Sequence, residues 1–404
     1  MPYSGSKTKG MSSKKLFEFR NDGSKFFILN STFLKEEALR LGFSHVGLAP
    51  AEPVDEAYMA YYEQWLRKGW QGEMHYLENH LALRRDPRLL LEGAKTVVSL
   101  AMSYNPGKQP TQPGIAWYAQ GRDYHEVLRE RLQQLVLRTL PLQTHPQPLP
   151  CREGSSYNCP QYSKRICPPP FKGGARGGSA HRICVDTAPI LERYWAWRCG
   201  LGWIGRNRQL VIPDEGSAFF LAEILLTEEA DVYDSPLPNG AILPPTGGVR
   251  EGLGGGPCGN CDRCLRACPT GALTDEGIDA RRCLSYLTIE HRGELPKEAT
   301  AHLHTHFYGC DRCLRACPHL SHEADTIEDF RPSPELLSMT REDWASLTPE
   351  QYRQLFRGSA VKRAKYEGLM RNIEAASKRE ENQTRLSYPK REQARPKVKA
   401  GKKD

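Results

Sequence analysis

The sequence predicts an α/β domain, then a small cysteine-rich domain of the bacterial-ferredoxin type, then a short helical C-terminal segment. Helical and strand-like segments alternate over residues 32–228, which is typical of a layered α/β domain. Eight of the 13 cysteines lie between positions 258 and 317. Beyond them, two segments begin with a threonine of the kind that caps helices. The 404 residues are enough for two or three domains.

The α/β prediction depends on the period of the apolar residues. A helical period predicts amphipathic helices, and a continuous β-branched apolar run predicts a buried strand. We expect Gly42 to end the first helix and the next strand to end near Leu48. The other expected helices are 56–68, 75–86, 121–140 and 192–198, and the other expected strands are 95–104, 182–185 and 216–226.

Changes in composition divide the chain into segments. Proline- and glycine-rich stretches without periodicity predict disordered insertions, and runs of charge predict disordered ends. The expected segments are a disordered leader at 1–31, the α/β domain at 32–234 with a disordered insertion at 143–180, a linker insertion at 235–256, the cysteine-rich domain at 257–325, a helical segment at 326–377 and a disordered basic tail at 378–404.

The cysteine-rich domain carries two runs with the spacing of four-iron sites. The first run, CGNCDRCLRACP, begins at Cys258 and has the pattern C-x2-C-x2-C-x3-C-P. In bacterial ferredoxins, three thiolates of such a run bind one [4Fe–4S] cluster and the fourth binds the other. The second run, GCDRCLRACP, lacks its first cysteine because Phe307 occupies that position, and Cys283 is available to replace it.

Exchange of the fourth ligand between the runs assigns eight thiolates to two clusters. The two expected ligand sets are Cys258, Cys261, Cys264 and Cys317 for one cluster, and Cys268, Cys283, Cys310 and Cys313 for the other. Two zinc knuckles or disulfides are the alternatives, although zinc sites favour paired C-x2-C units with a longer gap. Cluster thiolates need a reducing compartment, so we expect a cytoplasmic protein.

The net charge of +8 does not predict a nucleic-acid-binding surface over the whole protein. Positive charge is concentrated in residues 1–15, in 143–180 and in the tail from Lys378 onward, and these three parts together exceed the net charge of the chain. The remainder is therefore slightly acidic. The sequence has no signal peptide and no apolar run of about 18 residues, so we expect no membrane attachment.

Asp186 is the candidate for chemistry outside the clusters. It follows a predicted strand, and ligand sites concentrate at the carboxyl ends of strands in open α/β sheets. The alternative is that Asp186 caps the next helix. Glycine pairs around Trp203 would let a flat ligand approach the backbone, but GLGWIG follows a helix and is no dinucleotide fingerprint. We expect packing residues at Cys184 and Cys199, and surface thiols at Cys151, Cys159 and Cys167.

Four ordered motif blocks resemble the epoxyqueuosine reductase family. The blocks are GRDYH, VDTAPILERYWAWRCGLGWIGRN, CGNCDRCLRACPTGAL, and CLSYLTIEHRG with GCDRCLRACP. The segments LKEEALRLGFSHVGLA, GEMHYLENHLALRRDP and FRGSAVKRAKYEGLMRN also match in order, so the resemblance covers residues 32–375 apart from the two insertions. Members of this family use cobalamin and two [4Fe–4S] clusters in the last step of queuosine synthesis in tRNA.

The resemblance implies a reaction and a role for each site residue. Epoxyqueuosine at tRNA position 34 would be reduced to queuosine, with electrons passing from an external donor through the clusters to base-off cobalamin in the α/β domain. Asp186 matches the family's proton donor, which requires a protonated carboxyl and therefore a raised pKa. The implied corrinoid contacts are Arg84, Tyr118, Asp186, Asn207 and Ser285, and the eight cysteines match the family's cluster ligands. We expect a monomer.

Two residues depart from the family's pattern. Arg206 replaces the lysine of GWIGKN, and Arg208 replaces a small residue, where we expect it to crowd the cofactor contact of Asn207. Some members of the family continue into a helical-repeat domain that grips tRNA, whereas this sequence has a basic helix over 359–378. The expected phosphate contacts are Lys362, Arg363, Lys365 and Arg371.

Two other functions share parts of this pattern. A corrinoid enzyme similar to the reductive dehalogenases also combines a corrinoid with two clusters, but the basic C-terminal helix and the missing export signal disfavour it. A non-enzymatic electron carrier needs clusters and a docking domain only. The acid at position 186 disfavours the carrier, because a carrier transfers no proton.

Replacement of Asp186 by alanine distinguishes an enzyme from a carrier. An enzyme that uses Asp186 as its acid loses turnover by about a hundredfold or more, while its iron and cobalt contents stay the same. A carrier transfers electrons to its partner at an unchanged rate. Product formation and metal content measured on the same sample decide between the two, and unimpaired turnover of the variant contradicts the assignment of Asp186.

Overall fold

The structure is a computed structural model that describes residues 28–140, 180–238, 257–303, 306–323 and 326–387. The strands in these ranges are β1 (Ile28–Leu29), β2 (His45–Pro50), β3 (Thr96–Ser103), β4 (His181–Cys184), β5 (Trp203–Ile204), β6 (Leu210–Val211), β7 (Phe219–Leu226) and β8 (Glu229–Ala230). The helices are α1 (Ser31–Arg40), α2 (Glu56–Arg67), α3 (Leu81–Arg85), α4 (Tyr124–Thr139), α5 (Glu192–Arg198), α6 (Arg263–Ala267), α7 (Leu284–Ile289), α8 (Lys297–Thr300), α9 (Arg312–Arg315), α10 (Pro334–Ser338), α11 (Arg341–Ala345), α12 (Pro349–Leu355) and α13 (Lys365–Ser387).

A four-stranded sheet in the order β2-β3-β7-β4 forms the centre of the first domain. All three pairs of neighbours are antiparallel, and β3 pairs with β7 along its whole length. The domain is therefore of the α+β type, without the parallel crossovers of a doubly wound fold. Because the strand-end rule applies to parallel sheets, it does not explain the position of Asp186, and that part of the sequence argument was wrong.

Helices cover both faces of this sheet. On one face, Leu34 of α1 and Leu128 and Leu132 of α4 pack against alternate residues of β3 and β7. On the other face, Met59 of α2 and Trp195 of α5 pack against the remaining residues of the same strands. Burial of each such side chain contributes about 1.5–3 kcal/mol. Because side chains alternate between the two faces along each strand, α4 and α5 pack on opposite faces of the sheet.

The element predictions hold except in two helices. The basic helix predicted over 359–378 was wrong at its start, because Ala360–Ala364 form a 3₁₀ turn and the α-helix begins at Lys365, which has a left-handed backbone (φ 61°). The predicted helix 192–198 is α5, and the helix predicted to begin at residue 121 begins at Tyr124, because the Asp123 carboxylate caps it by accepting from the His125 amide at 3.0 Å. The single helix predicted over 75–86 was wrong. His80 has a left-handed backbone (φ 60°), which separates a 3₁₀ turn from α3.

The described secondary structure extends past two of the predicted segment boundaries. β1 pairs in parallel with β8 and α1 begins at Ser31, so residues 28–31 belong to the folded domain and not to a leader. α13 continues to Ser387, past the predicted boundary at residue 377. The rest of the expected leader, insertion, linker and tail (1–27, 141–179, 239–256 and 388–404) lies outside the described residues.

The cysteine-rich domain is joined to the α+β domain by backbone pairing. Ala116 donates to the Tyr308 carbonyl at 2.8 Å, and Tyr308 donates to the Gly114 carbonyl at 2.9 Å. Around this junction, Phe307 and Tyr308 pack with Trp344 and Phe356 in one apolar cluster. The C-terminal helices α11 and α12 begin with the predicted threonine caps, each completed as a capping box. None of the described helices has the length and apolar character needed to cross a membrane.

Gly47 of β2 is required by the packing of α5. A Cβ atom at this position would lie 2.0 Å from the carbonyl oxygen of Cys199, which directly follows α5. Gly368 of α13 offers a contrast, because a Cβ there would meet its nearest neighbour, the Cβ of Ala364, at 3.8 Å.

Substitution of these two glycines by alanine tests the packing of α5 on the sheet. We expect Gly47→Ala to lower the free energy of unfolding by about 1–3 kcal/mol through overpacking. We expect Gly368→Ala to be neutral or to stabilise by up to about 1 kcal/mol, because alanine favours a helix. Denaturant unfolding of both variants measures the effect, and equal midpoints would contradict it.

Candidate active site and cluster-binding thiols

The first predicted set of thiols is gathered at one end of the cysteine-rich domain. Burial raises the pKa of Cys264 to about 11, and the charges of Cys258, Cys317 and Cys261 add to the shift. Burial and the charges of Cys258 and Cys261 also raise the pKa of Cys317. These mutual effects on the pKa values show that the four thiols of the first set lie near one another. Cys317 is nevertheless more than 50 residues away from the others in sequence.

The second predicted set is gathered in the same way. Burial raises the pKa of Cys313, and the charges of Cys283, Cys310 and Cys268 raise it further. The charge of Cys264 also acts on Cys313, so the two sets are neighbours. All eight are free thiols. Within the described ranges, no three His, Cys, Asp or Glu side chains are close enough to hold a single metal ion.

N–H donors face the sulfur atoms of both sets. The Trp203 indole donates to Cys258 Sγ at 3.4 Å. Backbone amides of Ser285 and Tyr286 donate to the Cys283 sulfur and act to lower its pKa, although burial raises that pKa overall. Thiolates with N–H donors form the environment of a four-iron cluster, so this donor set fits two clusters. Ser285, predicted as a corrinoid contact, therefore also supports a predicted cluster ligand.

Asp186 lies in the loop between β4 and α5 with a left-handed backbone (φ 54°). Its side chain is 54% exposed. The residue at the N-cap of α5 is Leu191, so the alternative that Asp186 caps this helix was wrong. Glu192, the first residue of α5, instead accepts a hydrogen bond from the Asp186 amide at 2.6 Å. A non-glycine residue in this strained conformation is typical of functional sites.

His125 joins Asp186 to the start of α4. Its Nε2 lies 3.0 Å from Asp186 Oδ2, and its Nδ1 lies 2.7 Å from Asp123 Oδ1. The Tyr124 ring stacks on the imidazole with 4.0 Å between ring centroids, and the Tyr124 hydroxyl donates to the Asp186 carboxylate. The sequence motif GRDYH thus supplies three side chains of the site.

The pKa of Asp186 is lowered, contrary to the sequence prediction. Desolvation by neighbouring side chains acts to raise it, but hydrogen bonds from His125 and Tyr124 and the positive charges of His125 and Arg363 prevail. Partial burial acts to lower the pKa of His125, and its two carboxylate partners overcome this and raise the pKa to about 9. The proton between the two residues therefore belongs to the imidazole.

Two further carboxyls lie behind Asp186. Burial, followed by the charge of Asp186, raises the pKa of Glu192 to about 8. Burial and the charge of Glu192 raise the pKa of Glu223, which is completely buried on β7 and accepts from the Ser99 hydroxyl at 3.3 Å. Both shifts favour the protonated form of the buried carboxyls, whereas the neighbours of Asp186 favour its ionised form.

The other predicted corrinoid contacts are spread over the domain. The Arg84 guanidinium donates to the carbonyls of Tyr76 and Asn79 at 3.3 and 3.4 Å. The Asn207 amide is buried and donates to the Ser217 hydroxyl at 3.1 Å. The Tyr118 hydroxyl donates to the Tyr308 hydroxyl at 3.4 Å. Of these, Arg84 is linked to the Asp186 region through Tyr76, whose ring is stacked by Arg363.

Glycines near Trp203 serve packing within the protein. A Cβ on Gly200 would lie 2.6 Å from the Ser235 carbonyl, and one on Gly202 would lie 2.2 Å from the Val211 carbonyl. The space next to each glycine is therefore filled by the chain's own backbone. The expectation that these glycines admit a flat ligand was wrong.

The two arginines that depart from the family's pattern hold the domains together. The Arg206 guanidinium donates to the Cys261 carbonyl at 3.0 Å and pairs with Asp275. The Arg208 guanidinium donates to the Asp275 carbonyl at 2.7 Å. Both side chains point into the cysteine-rich domain, so Arg208 does not crowd the Asn207 side chain. Cys184 and Cys199 are buried in the sheet core, as the sequence predicted.

Two of the four side chains predicted to contact phosphates form hydrogen bonds with other residues of the protein. Arg371 donates to the carbonyls of Leu287, His291 and Gly293, at and just beyond the end of α7. Arg363 forms a bidentate pair with Glu290, both bonds measuring 2.9 Å. Lys362 and Lys365 are exposed on either side of Arg363.

Aromatic rings connect the second thiol set with Asp186. A Cβ on Gly309, next to Cys310, would lie 3.6 Å from the Tyr118 ring. The Tyr118 and Tyr124 rings are 6.3 Å apart between centroids, and the Tyr124 hydroxyl reaches Asp186. An electron acceptor bound beside Asp186 would thus be separated from this thiol set by two rings.

Sequence reasoning missed His125, Tyr124 and Glu192. All three lie inside the two motif blocks GRDYH and VDTAPILER that flank Asp186 in the sequence. Their contacts depend on the start of α4 and the start of α5 both reaching Asp186 in the loop after β4, which no local spacing shows. The motif GRDYH, quoted for the family resemblance, was the available sequence indication.

Comparison with known proteins agrees with this arrangement. Residues 257–319 match the family described as a 4Fe–4S double cluster binding domain, and residues 84–147 match the family described as "Epoxyqueuosine reductase QueG, DUF1730". The epoxyqueuosine reductase of Cellulophaga algicola is 34% identical over 349 residues, which are 85% of this chain and 97% of the relative.

Solved structures share the fold. The epoxyqueuosine reductase from Streptococcus thermophilus has a TM-score of 0.65 at 25% identity and covers 89% of this chain and 86% of its own. An epoxyqueuosine reductase crystallised with an epoxyqueuosine-modified tRNA-Tyr stem loop has a TM-score of 0.64 at 23% identity, covering 85% of this chain and 80% of its own.

The α+β domain, joined to a domain for two iron–sulfur clusters, defines an iron–sulfur oxidoreductase with a separate domain for its chemistry. The length and identity of the match to the curated relative identify the particular family. The chain belongs to the epoxyqueuosine reductase family.

The raised pKa values predict how stability depends on pH. His125 has a pKa of about 9 in the folded protein against 6.5 for the free side chain, and Glu192 has about 8 against 4.5. The folded state therefore binds more protons, and the unfolding free energy falls as the pH rises, between 4.5 and about 8 because of Glu192 and between 6.5 and about 9 because of His125. Urea unfolding across both ranges measures the loss.

Two variants assign that loss to its groups. His125→Gln and Glu192→Gln should each flatten the pH dependence, because each removes one titrating group and keeps a hydrogen-bonding side chain. His45→Gln is the matched control, since His45 also pairs with a carboxylate, at 2.9 Å from Glu215. An identical slope in the wild type and both variants would refute the assignment.

Proposed function

We propose that this protein reduces epoxyqueuosine to queuosine at position 34 of tRNA. The observation that carries the proposal is the Asp123–His125–Asp186 hydrogen-bonded group, which lies two aromatic rings away from a double-cluster domain. Such a site combines a proton source with an electron supply, as the reduction of an epoxide requires. The curated relative bears the name of this activity and matches nearly its full length.

The cluster ligands in this proposal are the two thiol sets. Cys258, Cys261, Cys264 and Cys317 would hold the cluster beside Trp203, and Cys268, Cys283, Cys310 and Cys313 would hold the cluster beside Tyr118. The second cluster is the one that faces the site of reaction. An external low-potential donor would reduce the first cluster, whose ligands Cys258 and Cys261 lie partly exposed. Thiolates of this kind persist in a reducing cytoplasm.

Cobalamin, bound base-off, is the proposed acceptor of the electrons. The region next to Asp186 fits it, because an exposed carboxylate, the exposed Tyr76 ring and the Arg363 guanidinium lie together there. Arg84, Tyr118, Asn207 and Ser285 are the proposed supporting residues around it. When bound, the cobalt would supply a strong nucleophile that side chains cannot provide.

The protein's own residues would handle the proton and the substrate. Asp186 would deliver a proton to the epoxide oxygen as the ring opens, and Tyr124 and His125 would keep its carboxylate in place. Lys362 and Lys365, beside Arg363, would contact tRNA phosphates, because they are exposed next to the carboxylate. A single copy of the chain contains all of these residues, so we propose a monomer.

The two competing functions have less support. Neither a dehalogenase nor a carrier accounts for a relative that is 34% identical over 85% of the chain and acts, by its name, on epoxyqueuosine. A carrier would not need an acid held by three side chains.

Anaerobic reconstitution tests the proposal directly. Protein loaded with iron, sulfide and cobalamin is mixed with tRNA carrying epoxyqueuosine and a strong reductant, and nucleosides are analysed after digestion. We expect queuosine to form only with cobalamin and reductant present. Bound corrinoid and about eight irons per chain without product would refute the substrate, and two zinc ions without corrinoid would refute the cofactors as well.

Removal of Cys283 tests the ligand sets. Cys283→Ala should reduce the iron content from about eight to about four per chain, because one four-iron cluster loses a ligand. Cys184→Ala is the control, as Cys184 is a buried thiol of the sheet and should leave the iron content unchanged. Full iron content in Cys283→Ala would exclude Cys283 as a ligand.

A further inference from the structure

Reduction of an epoxide to an alkene needs two protons. Both carbon–oxygen bonds break, a carbon–carbon double bond forms, and the oxygen leaves as water, so each turnover consumes two electrons and two protons. The electrons come from the external donor through the clusters. Asp186 is the proposed donor, but its pKa is lowered, so its carboxylate must itself receive a proton before it can deliver one.

We propose that His125 protonates Asp186 in each proton transfer of the turnover and takes up its next proton from water. This inference rests on the proposed function and adds a residue to it. His125 acts through Asp186 and does not touch the substrate, so it is a positioning and proton-relay residue. The proton would pass from His125 Nε2 to Asp186 Oδ2 along their 3.0 Å hydrogen bond, and from Asp186 to the leaving oxygen.

The geometry accommodates a protonated imidazole that donates at both ring nitrogens. A neutral histidine has one N–H donor and one acceptor, whereas both ring nitrogens of His125 face carboxylate oxygens, at 2.7 and 3.0 Å. Only the imidazolium donates to both. After the proton has moved to Asp186, the remaining N–H still donates to Asp123, so the ring keeps its orientation and is ready to be protonated again.

The residues around His125 favour its protonated form and let it be protonated again after each proton transfer. Three acids face the ring or its partners and two arginines lie beyond them; these groups are Asp123, Asp186, Glu192, Arg129 and Arg363. Tyr124 covers one face of the ring. The His125 side chain is 23% exposed, so it can take up a proton from water after each turnover. Asp123 also caps α4, which fixes the imidazole to a rigid element.

Steady-state turnover of the holoenzyme between pH 6 and 10 tests the relay. Each variant is compared with the wild type at the same pH, which cancels the pH dependence of the reductant. We expect wild-type kcat to fall as the pH rises through about 9, where His125 loses its proton. His125→Gln should lower kcat about a hundredfold, leave KM for tRNA unchanged, and no longer show this fall.

Three further variants separate a relay from a merely structural role. Asp123→Asn keeps the helix cap but removes one carboxylate from the imidazole, so the fall in kcat should move to lower pH. Added imidazole should restore part of the turnover of His125→Ala. His45→Gln, the matched control, should behave as the wild type. The relay is refuted if His125→Gln keeps the wild-type kcat or falls with pH in parallel with it.

A direct measurement distinguishes failure of the relay from failure of the proposed function. In holoenzyme labelled with ¹⁵N-histidine, the signal that is lost in His125→Gln should be that of an imidazolium at pH 7. A neutral His125 refutes the relay even if queuosine forms. A protonated His125 in a wild-type enzyme that forms no queuosine refutes the function on which the relay depends.

Discussion

The ion pair between His125 and Asp186 is the contact on which the site depends. It joins the start of α4 to the loop after β4, two elements that lie 61 residues apart in sequence. It helps to hold the half-exposed carboxylate of Asp186, a residue with a left-handed backbone, in one orientation. Asp123 and Tyr124 complete the arrangement, since one holds the far side of the imidazole and the other reaches the same carboxylate.

The surroundings of each carboxyl in this site determine how readily it ionises. Desolvation acts to raise the pKa of Asp186, but the hydrogen bonds and positive charges of its neighbours lower it. Glu192 and Glu223 are more deeply buried, and burial raises the pKa of each. The direction of each shift therefore follows from the surroundings of the carboxyl and not from its residue type.

The attachment of the cysteine-rich domain determines where its thiols lie relative to Asp186. Backbone pairing of Tyr308 with Gly114 places the turn that carries Cys310 against Tyr118, which is a neighbour of Tyr124. Arg206 and Arg208 fasten the opposite end of the domain by bonding to the Cys261 and Asp275 carbonyls. Both arginines thus contribute hydrogen bonds to the interface between the cysteine-rich domain and the α+β domain.

The sequence by itself determined the helices with strong caps and predicted the thiol sets and the importance of Asp186, because each depends on local spacing or on a short motif. The tertiary structure decided the antiparallel order of the sheet, the direction of the pKa shift of Asp186 and the contacts of His125 and Glu192. These depend on which residues meet after folding: a pKa reflects the neighbours of a group in space, and the neighbours of Asp186 come from α4, α5 and the segment that carries Arg363. Packing likewise showed that the glycines near Trp203 meet backbone, which a pattern of glycines does not reveal.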